Sequence, residues 1–104
     1  MQFFLTAYDG TDSEAGERRA KVREQHLEVV RRLKKEGKHL YGAAILDDDS
    51  KMIGSIMIVE YPSLEILKKE WLDTEPYIVG DVWKDIDIKP CKVPDVFFEQ
   101  PVNT

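Results

Sequence analysis

The sequence predicts a single α+β domain in which a four-stranded antiparallel sheet carries two helices on one face. Four short runs are rich in aromatic and β-branched residues, which favour strands. Two longer stretches place apolar residues three or four positions apart, which is typical of amphipathic helices. The elements follow the order β-α-β-β-α-β, the ferredoxin-like pattern. A length of 104 residues with 42% hydrophobic content fits one domain with its own core.

The first strand and the long helix lie in the N-terminal third of the chain. Residues 3–8 (FFLTAY) predict the strand, and Asp9-Gly10 ends it as a turn signal. The helix is predicted over residues 17–36, because Asp12-Ser13 can cap its start and Gly37 stops it.

A hairpin forms the middle of the chain, with strands predicted over residues 39–46 and 52–61 around an acidic turn at 47–50. The second of these strands is apolar on both faces, which alternate as Gly54, Ile56 and Ile58 against Ser55, Met57 and Val59. Two helices cover only one face of such a sheet, and an antiparallel sheet with one wet face carries polar residues there. We therefore expect a homodimer in which a second copy covers the open face.

The second helix and the last strand follow. Pro62 breaks the preceding strand, and a helix is predicted over residues 63–72. A short turn or helix restarts at residues 74–76, since proline suits a first helical position. Residues 82–89 contain a clear polar–apolar alternation and predict the last strand, which the element order places at a sheet edge.

The C-terminal end stands apart from these elements. Residues 1–93 hold the predicted domain, and residues 94–104 form an extension. The extension contains the apolar pair Phe97-Phe98, which packs either on its own domain or on a partner subunit; the sequence leaves both open.

The composition limits the partners that the protein can bind and the compartment in which it works. Fifteen Lys and Arg against twenty Asp and Glu give a net charge of −5, which argues against a nucleic-acid partner. The single cysteine, Cys91, excludes an internal disulfide and a Cys-rich zinc site, and it fits a reducing compartment. Signal-peptide, membrane-span, phosphate-loop and dinucleotide patterns are absent, so we expect a cytoplasmic protein without a cofactor.

His26 is the most informative polar residue. On a helical wheel it lies inside an apolar stripe formed by Val22, Val29, Val30 and Leu33. The imidazole therefore points toward the sheet and needs a hydrogen-bond partner there. It is either a satisfied core histidine or, if a pocket lies beside it, a general acid or base.

A carboxylate partner for His26 lies in residues 72–77 (LDTEPY). Asp73 suits a helix cap, whereas Glu75 is a poorer capping residue and is freer for another role. A carboxylate bonded to an imidazole fixes its tautomer. The sequence leaves open whether Glu75 and His26 meet.

Other positions suggest contacts with a ligand. Ser55 interrupts an apolar strand face, and Gly54 before it leaves space for a small molecule or another backbone; a core serine bonded to backbone fits equally well. Arg19 and Arg23 lie on or near the apolar side of the helix, where they reach solvent or meet an anionic ligand. His39 begins an exposed strand and is predicted to lie at the surface.

These segments, in their order and spacing, resemble the YCII-related family of small bacterial proteins. The resemblance runs from residue 3 to about residue 93. It is carried by residues 23–27 (REQHL), 36–38 (EGK), 54–61 (GSIMIVEY), 63–65 (SLE), 75–77 (EPY) and 88–90 (IKP).

The resemblance implies a dimeric α+β barrel built from two ferredoxin-like units, with a site containing a histidine–aspartate pair. The family histidine falls on His26. The family aspartate belongs to an Asp-Pro-Tyr motif, and the matching residue here is Glu75, a departure that keeps the carboxylate but adds one methylene. The remaining candidate binding residues are Ser55, Arg23, Asp73 and Tyr77.

The resemblance also implies a function. The family is similar to cofactorless barrel proteins that handle small aromatic or lactone compounds, and one member is a dehydrochlorinase of a chlorinated hydroxyquinol. We therefore predict a cofactor-independent enzyme in which His26 and Glu75 move a proton on a small phenolic or enolisable compound. Elimination, isomerisation and lyase-type chemistry all remain open. The alternatives are a non-catalytic barrel that binds a small metabolite and a purely structural dimer.

Overall fold

The structure is a computed structural model that describes residues 1–98, and it confirms the predicted α+β fold. The strands are β1 (Gln2–Asp9), β2 (His39–Leu46), β3 (Met52–Glu60) and β4 (Trp83–Cys91). The helices are α1 (Ala15–Lys35), α2 (Leu64–Glu70) and α3 (Pro76–Val79), with 3₁₀ turns at Leu72–Thr74 and Asp95–Phe97.

The four strands form one antiparallel sheet in the order β2-β3-β1-β4. The last strand therefore lies at an edge, as predicted. In the central pair, Leu5 of β1 lies opposite Met57 of β3, and on its other side it faces Ile88 of β4. This register places the buried faces of the strands together beneath the helices.

The start of α1 differs slightly from the prediction. The helix begins at Ala15, two residues before Glu17. Asp12 accepts a hydrogen bond from the backbone N–H of Glu14 and pairs with Arg18 at 2.7 Å. The Arg18 guanidinium holds the pKa of the Asp12 carboxyl well below its usual value. The Asp12 side chain thus supports the turn before the helix. The predicted cap by Asp12-Ser13 is wrong, because the N-cap position is Glu14, which makes no side-chain cap hydrogen bond.

The region after β3 divides into three short helical pieces. Ser63 caps α2 by accepting from the backbone N–H of Ile66 at 3.1 Å. The helix ends at Glu70, two residues earlier than predicted, because Trp71 leaves the helical conformation (φ −130°, ψ −64°). That break turns the indole of Trp71 into the core, where it is 1% exposed.

The hydrophobic core lies between the sheet and the helices. Phe3, Leu5 and Ala7 of β1 and Met57 and Val59 of β3 form its sheet side. The predicted stripe of α1 packs on it, with Leu33 buried and Val22, Val29 and Val30 partly buried. The large aromatic side chains of Trp71, Tyr77 and Trp83 complete the core.

The opposite face of the sheet is apolar at its centre, and no α-helix of residues 1–98 packs on it. Phe4, Ile56 and Ile58 are half-buried there, and Tyr41 is 44% exposed. The start of the C-terminal extension lies against this face, since the Tyr41 hydroxyl donates to the Phe97 carbonyl at 2.7 Å. The Phe97 side chain remains 64% exposed. The rest of the extension, residues 99–104, lies outside the described residues.

Among residues 1–98, no helix combines the length and the apolar content that crossing a membrane requires.

His39 corrects the prediction of a surface histidine. A register shift at the start of β2 places it opposite Val59, on the helix side of the sheet. It is 3% exposed, it meets the Trp71 ring edge-on at 4.6 Å, and its Nε2 lies 3.4 Å from the Tyr61 hydroxyl. Burial lowers the pKa of His39 from 6.5 to about 4.

This burial predicts a loss of stability in acid. Between pH 6.5 and about pH 4 the unfolded chain binds a proton on His39 that the folded chain does not. The contribution is complete above pH 6.5 and is lost as the pH falls toward 4, by a few kcal/mol at most. We expect H39Q to remove this part of the pH dependence in urea unfolding at fixed protein concentration. Parallel losses of stability in wild type and H39Q across this window would contradict the assignment.

Candidate functional site

A cavity of about 420 Å³ lies between α1 and the β2–β3 hairpin. This volume falls in the range of small-molecule sites. One stripe of α1 forms its first wall through Arg19, Arg23, His26, Leu27, Val30 and Lys34. Strands β2 and β3 form the second wall, with Ser55 and Met57 among the lining residues, and Tyr77 of α3 contributes a further part.

The predicted pair of His26 and Glu75 meets beside this cavity. Glu75 is fully buried, and its Oε1 accepts a short hydrogen bond from His26 Nδ1. The same oxygen accepts from the backbone N–H of Tyr77 at 3.3 Å, while Oε2 accepts from Trp71 Nε1 at 2.7 Å. Glu75 therefore caps α3 and also holds the imidazole, whereas the sequence analysis expected a poorer capping residue that is freer for another role.

Local sequence explains how Glu75 reaches His26. Pro76 starts α3 at a position that needs no N–H donor, and Glu75 precedes it with an extended backbone (φ −59°, ψ 129°). Gly80 ends α3 against α1, where a Cβ would lie 2.8 Å from the Pro76 carbonyl and 3.1 Å from Val22 Cγ1. A glycine thus permits the close approach of the two helices that brings the carboxylate to the imidazole.

The imidazole of His26 is held on both sides. The Tyr77 ring stacks on it at 4.0 Å, and Trp83 meets it edge-on at 5.9 Å. Since Nδ1 donates to Glu75, the lone pair of the neutral ring is on Nε2. This Nε2 makes no hydrogen bond among the described residues, and His26 lines the cavity. It is therefore available to a molecule in the cavity.

A second buried network adjoins the first. Arg19 is 6% exposed, and its Nη1 donates to both Asp9 oxygens at 3.0 Å. Its Nη2 donates to Ser55 Oγ at 3.0 Å, and its guanidinium lies 4.7 Å from the centre of the Tyr77 ring. Trp83 Nε1 also donates to Ser55 Oγ, at 3.2 Å.

Asp9 is a partner that the sequence analysis missed, because it was interpreted only as a turn residue. Its signal was present in the pattern of the first strand. Phe3, Leu5 and Ala7 face the core, and Asp9 continues the same alternation, so its carboxylate enters the interior. A buried carboxylate needs a cationic partner, and Arg19 on the apolar side of α1 supplies it.

The remaining sequence candidates divide in two groups. Arg23 and Tyr77 line the cavity together with His26 and Ser55. Asp73 is exposed and does not line it, so the structure does not bring this carboxylate to the imidazole. Gly54 makes room for a backbone, since a Cβ would lie 2.5 Å from the Ala7 carbonyl.

No group of three or more His, Cys, Asp or Glu side chains suited to hold a metal ion occurs within the described part of the chain.

These features define a ferredoxin-like α+β domain with a buried histidine–carboxylate pair at a small cavity. The chain belongs to the YCII-related domain family, which matches residues 1–92. Protein YciI of Escherichia coli O6:H1 (strain CFT073) is 33% identical over 98 residues, covering 88% of this chain and 97% of its own. An uncharacterized protein of Haemophilus influenzae is 32% identical over 82 residues, covering 73% of this chain and 83% of its own.

Solved structures support the same fold. The 5-chloro-2-hydroxyhydroquinone dehydrochlorinase TftG from Burkholderia phenoliruptrix AC1100, in complex with 2,5-dihydroxybenzoquinone, superposes with a TM-score of 0.76 at 21% identity. The match covers 92% of this chain and 98% of TftG. An antibiotic biosynthesis monooxygenase matches with a TM-score of 0.50 at 17% identity, over 89% of this chain and 98% of its own.

The contacts of Glu75 predict a large structural role. E75A leaves His26 Nδ1, Trp71 Nε1 and the Tyr77 N–H without their acceptor in the core. Each buried donor left without its acceptor costs about 1–3 kcal/mol, so the three together cost at least about 3 kcal/mol. We expect E75A to lose at least this much free energy of unfolding in urea at fixed protein concentration.

The matched control is E70A, at an exposed position near the end of α2. An exposed substitution of this kind changes stability by only about 0.5 kcal/mol. Equal stability of E75A and E70A would contradict the arrangement described here.

Proposed function

We propose that the protein is a cofactor-independent acid–base enzyme that acts on a small phenolic or enolisable compound. The observation that carries the proposal is His26. Its Nδ1 is bonded to the buried Glu75, and its Nε2 is open beside a cavity of about 420 Å³. An imidazole with one nitrogen fixed by a carboxylate and the other open to a ligand is suited to accept and return a proton.

The chemistry follows from this arrangement. Nε2 removes an acidic proton from carbon or oxygen of the ligand, and Glu75 keeps the ring in the reactive tautomer and stabilises the imidazolium that forms. The imidazolium then returns its proton to another atom of the ligand or to a leaving group. This sequence produces isomerisation in the first case and elimination in the second.

The likeness to TftG supports the choice of ligands. The name of that protein describes a dehydrochlorinase of 5-chloro-2-hydroxyhydroquinone, and its complex holds 2,5-dihydroxybenzoquinone. A thermal-shift screen of phenols, hydroxyquinols, lactones and carboxylates, with these two compounds included, is the first step. A ligand at about 100 times its Kd adds roughly 2.7 kcal/mol of stability, which is easily detected.

Compounds that bind are then tested for turnover in wild type, H26Q, E75Q and the exposed control E70Q. Loss of a general base lowers the rate by about 100- to 10,000-fold. We expect this loss in kcat for H26Q. A smaller loss of kcat is expected for E75Q, because this variant keeps the base His26. Some loss is expected because the amide places an N–H against the donors around it. E70Q should match wild type.

The outcomes separate the two candidate functions. Full activity of H26Q on a turned-over compound would rule out the acid–base mechanism. Specific binding near His26 without turnover of any compound would favour a metabolite-binding module instead.

We also propose that the chain forms a homodimer through the open face of its sheet. Phe4, Ile56 and Ile58 form an apolar centre there, and the helices cover only the other face. Two such faces are self-complementary, which a twofold dimer requires. Tyr41 and Ile56 belong to this face and also line the cavity, so a partner packed here would lie close to the ligand.

Light scattering at micromolar concentration tests the dimer. We expect twice the mass of one chain for wild type and one chain mass for I58E, because a carboxylate at the centre of the interface cannot be buried unpaired. V79E is the control, since Val79 lies on α3 and is 72% exposed. A monomeric wild type, or a dimeric I58E, would contradict the proposed interface.

A further inference from the structure

Ser55 makes hydrogen bonds that determine how it can contact a ligand. A serine hydroxyl has one proton to donate and two lone pairs to accept with. Ser55 Oγ accepts from Arg19 Nη2 at 3.0 Å and from Trp83 Nε1 at 3.2 Å. Guanidinium and indole N–H groups are donors only, so both lone pairs of Ser55 are engaged. Only the hydroxyl proton is left for a further partner.

None of the hydrogen bonds among residues 1–98 uses this proton. Ser55 lines the cavity, so the available acceptor is a ligand atom. The network continues to the imidazole by two routes. Arg19 lies over the Tyr77 ring, which stacks on His26, and Trp83 meets His26 edge-on. Ser55 and His26 are therefore held in one rigid cluster and face the same space.

The charges around the cavity also favour a ligand that accepts hydrogen bonds. Among residues 1–98, the lining includes Arg19, Arg23 and Lys34 and no carboxylate side chain. This contrasts with the whole chain, whose net charge is −5. The buried carboxylates of Asp9 and Glu75 do not line the cavity and are paired with the lining residues Arg19 and His26.

We infer that Ser55 is a one-way hydrogen-bond donor that makes the cavity selective for an oxygen carrying or developing negative charge. Arg19 and Trp83 are positioning residues, since they act by occupying the lone pairs of Ser55. This inference rests on the proposed function and adds to it the charge state of the bound compound. In the reaction, the Ser55 proton remains on its oxygen and stabilises the enolate or phenolate that forms when His26 removes a proton.

The test uses 4-nitrophenol and its methyl ether, 4-nitroanisole, as matched probes. The phenolate absorbs in the visible, so a pH titration reports the charge of the bound phenol directly. We expect wild type to bind the phenolate more tightly than the phenol, which lowers the pKa of the bound probe. A hydrogen bond to a charged group is worth about 10- to 100-fold in affinity, and S55A should lose that factor for the phenolate. The ether, whose oxygen is uncharged, should lose only about two- to tenfold in S55A and less than the phenolate loses.

S13A is the control, because Ser13 is exposed and outside the cavity. It should bind both probes as wild type does. If S55A fails to fold, the titration of the bound phenol in wild type still decides, since a bound pKa equal to or above the free value overturns the inference. Equal losses for both probes in S55A, or no loss for either, also overturn it.

H26Q separates this inference from the proposed enzyme. Phenolate binding that depends on Ser55 and persists in H26Q supports the inference, even if no compound is turned over. Turnover that depends on His26 while S55A keeps full phenolate affinity overturns the inference and leaves the proposed enzyme intact.

Discussion

The Glu75 carboxylate is the group on which the rest of the site depends. It is fully buried and receives N–H donors from His26 on α1, from Trp71 in the break after α2 and from the backbone of Tyr77 on α3. A carboxylate is tolerated in a core only when its oxygens are bonded. The three segments therefore cannot separate without leaving a buried charge unpaired, and the cavity wall on that side is correspondingly rigid.

The same constraint explains why the region after β3 is broken into short pieces. A continuous helix from Ser63 would not leave Glu75 at the N-terminus of a helix, the position from which it bonds the imidazole. Ending α2 at Glu70 lets the indole enter the core, and restarting at Pro76 sets Glu75 at the N-terminus of α3. The glutamate side chain is long enough to make two side-chain contacts, since Oε1 reaches Nδ1 while Oε2 bonds Trp71.

Much of this was accessible from the sequence because it depends on periodicity and order. The strand and helix order follows from local patterns, and the helical wheel alone places His26 in the stripe that faces the sheet. The pairing with Glu75 required the fold, because 49 residues separate the two. His39 was mispredicted because a register shift, which no local pattern reports, turns it inward. Asp9 was missed because it was interpreted as a turn residue, although the alternation of β1 extends to it. Its pairing with Arg19 could be seen only in the fold.

The two buried carboxylates share one geometry, and this geometry explains how an acidic chain can present a cationic cavity. Asp9 lies behind Arg19, and Glu75 lies behind His26. Each carboxylate bonds its partner from within the core, so the carboxylate oxygens are already engaged there. The hydrogen-bond donors of the lining and the open Nε2 of His26 are left facing the cavity. The Ser55 hydroxyl extends the pattern without any charge of its own, because Arg19 and Trp83 occupy its lone pairs. A ligand that carries an acceptor oxygen next to an acidic proton matches both features at once, whereas a ligand with only donors matches Nε2 and leaves the Ser55 proton without an acceptor. The orientation of the inner hydrogen bonds, more than the cavity shape, therefore sets the chemistry that this site can select.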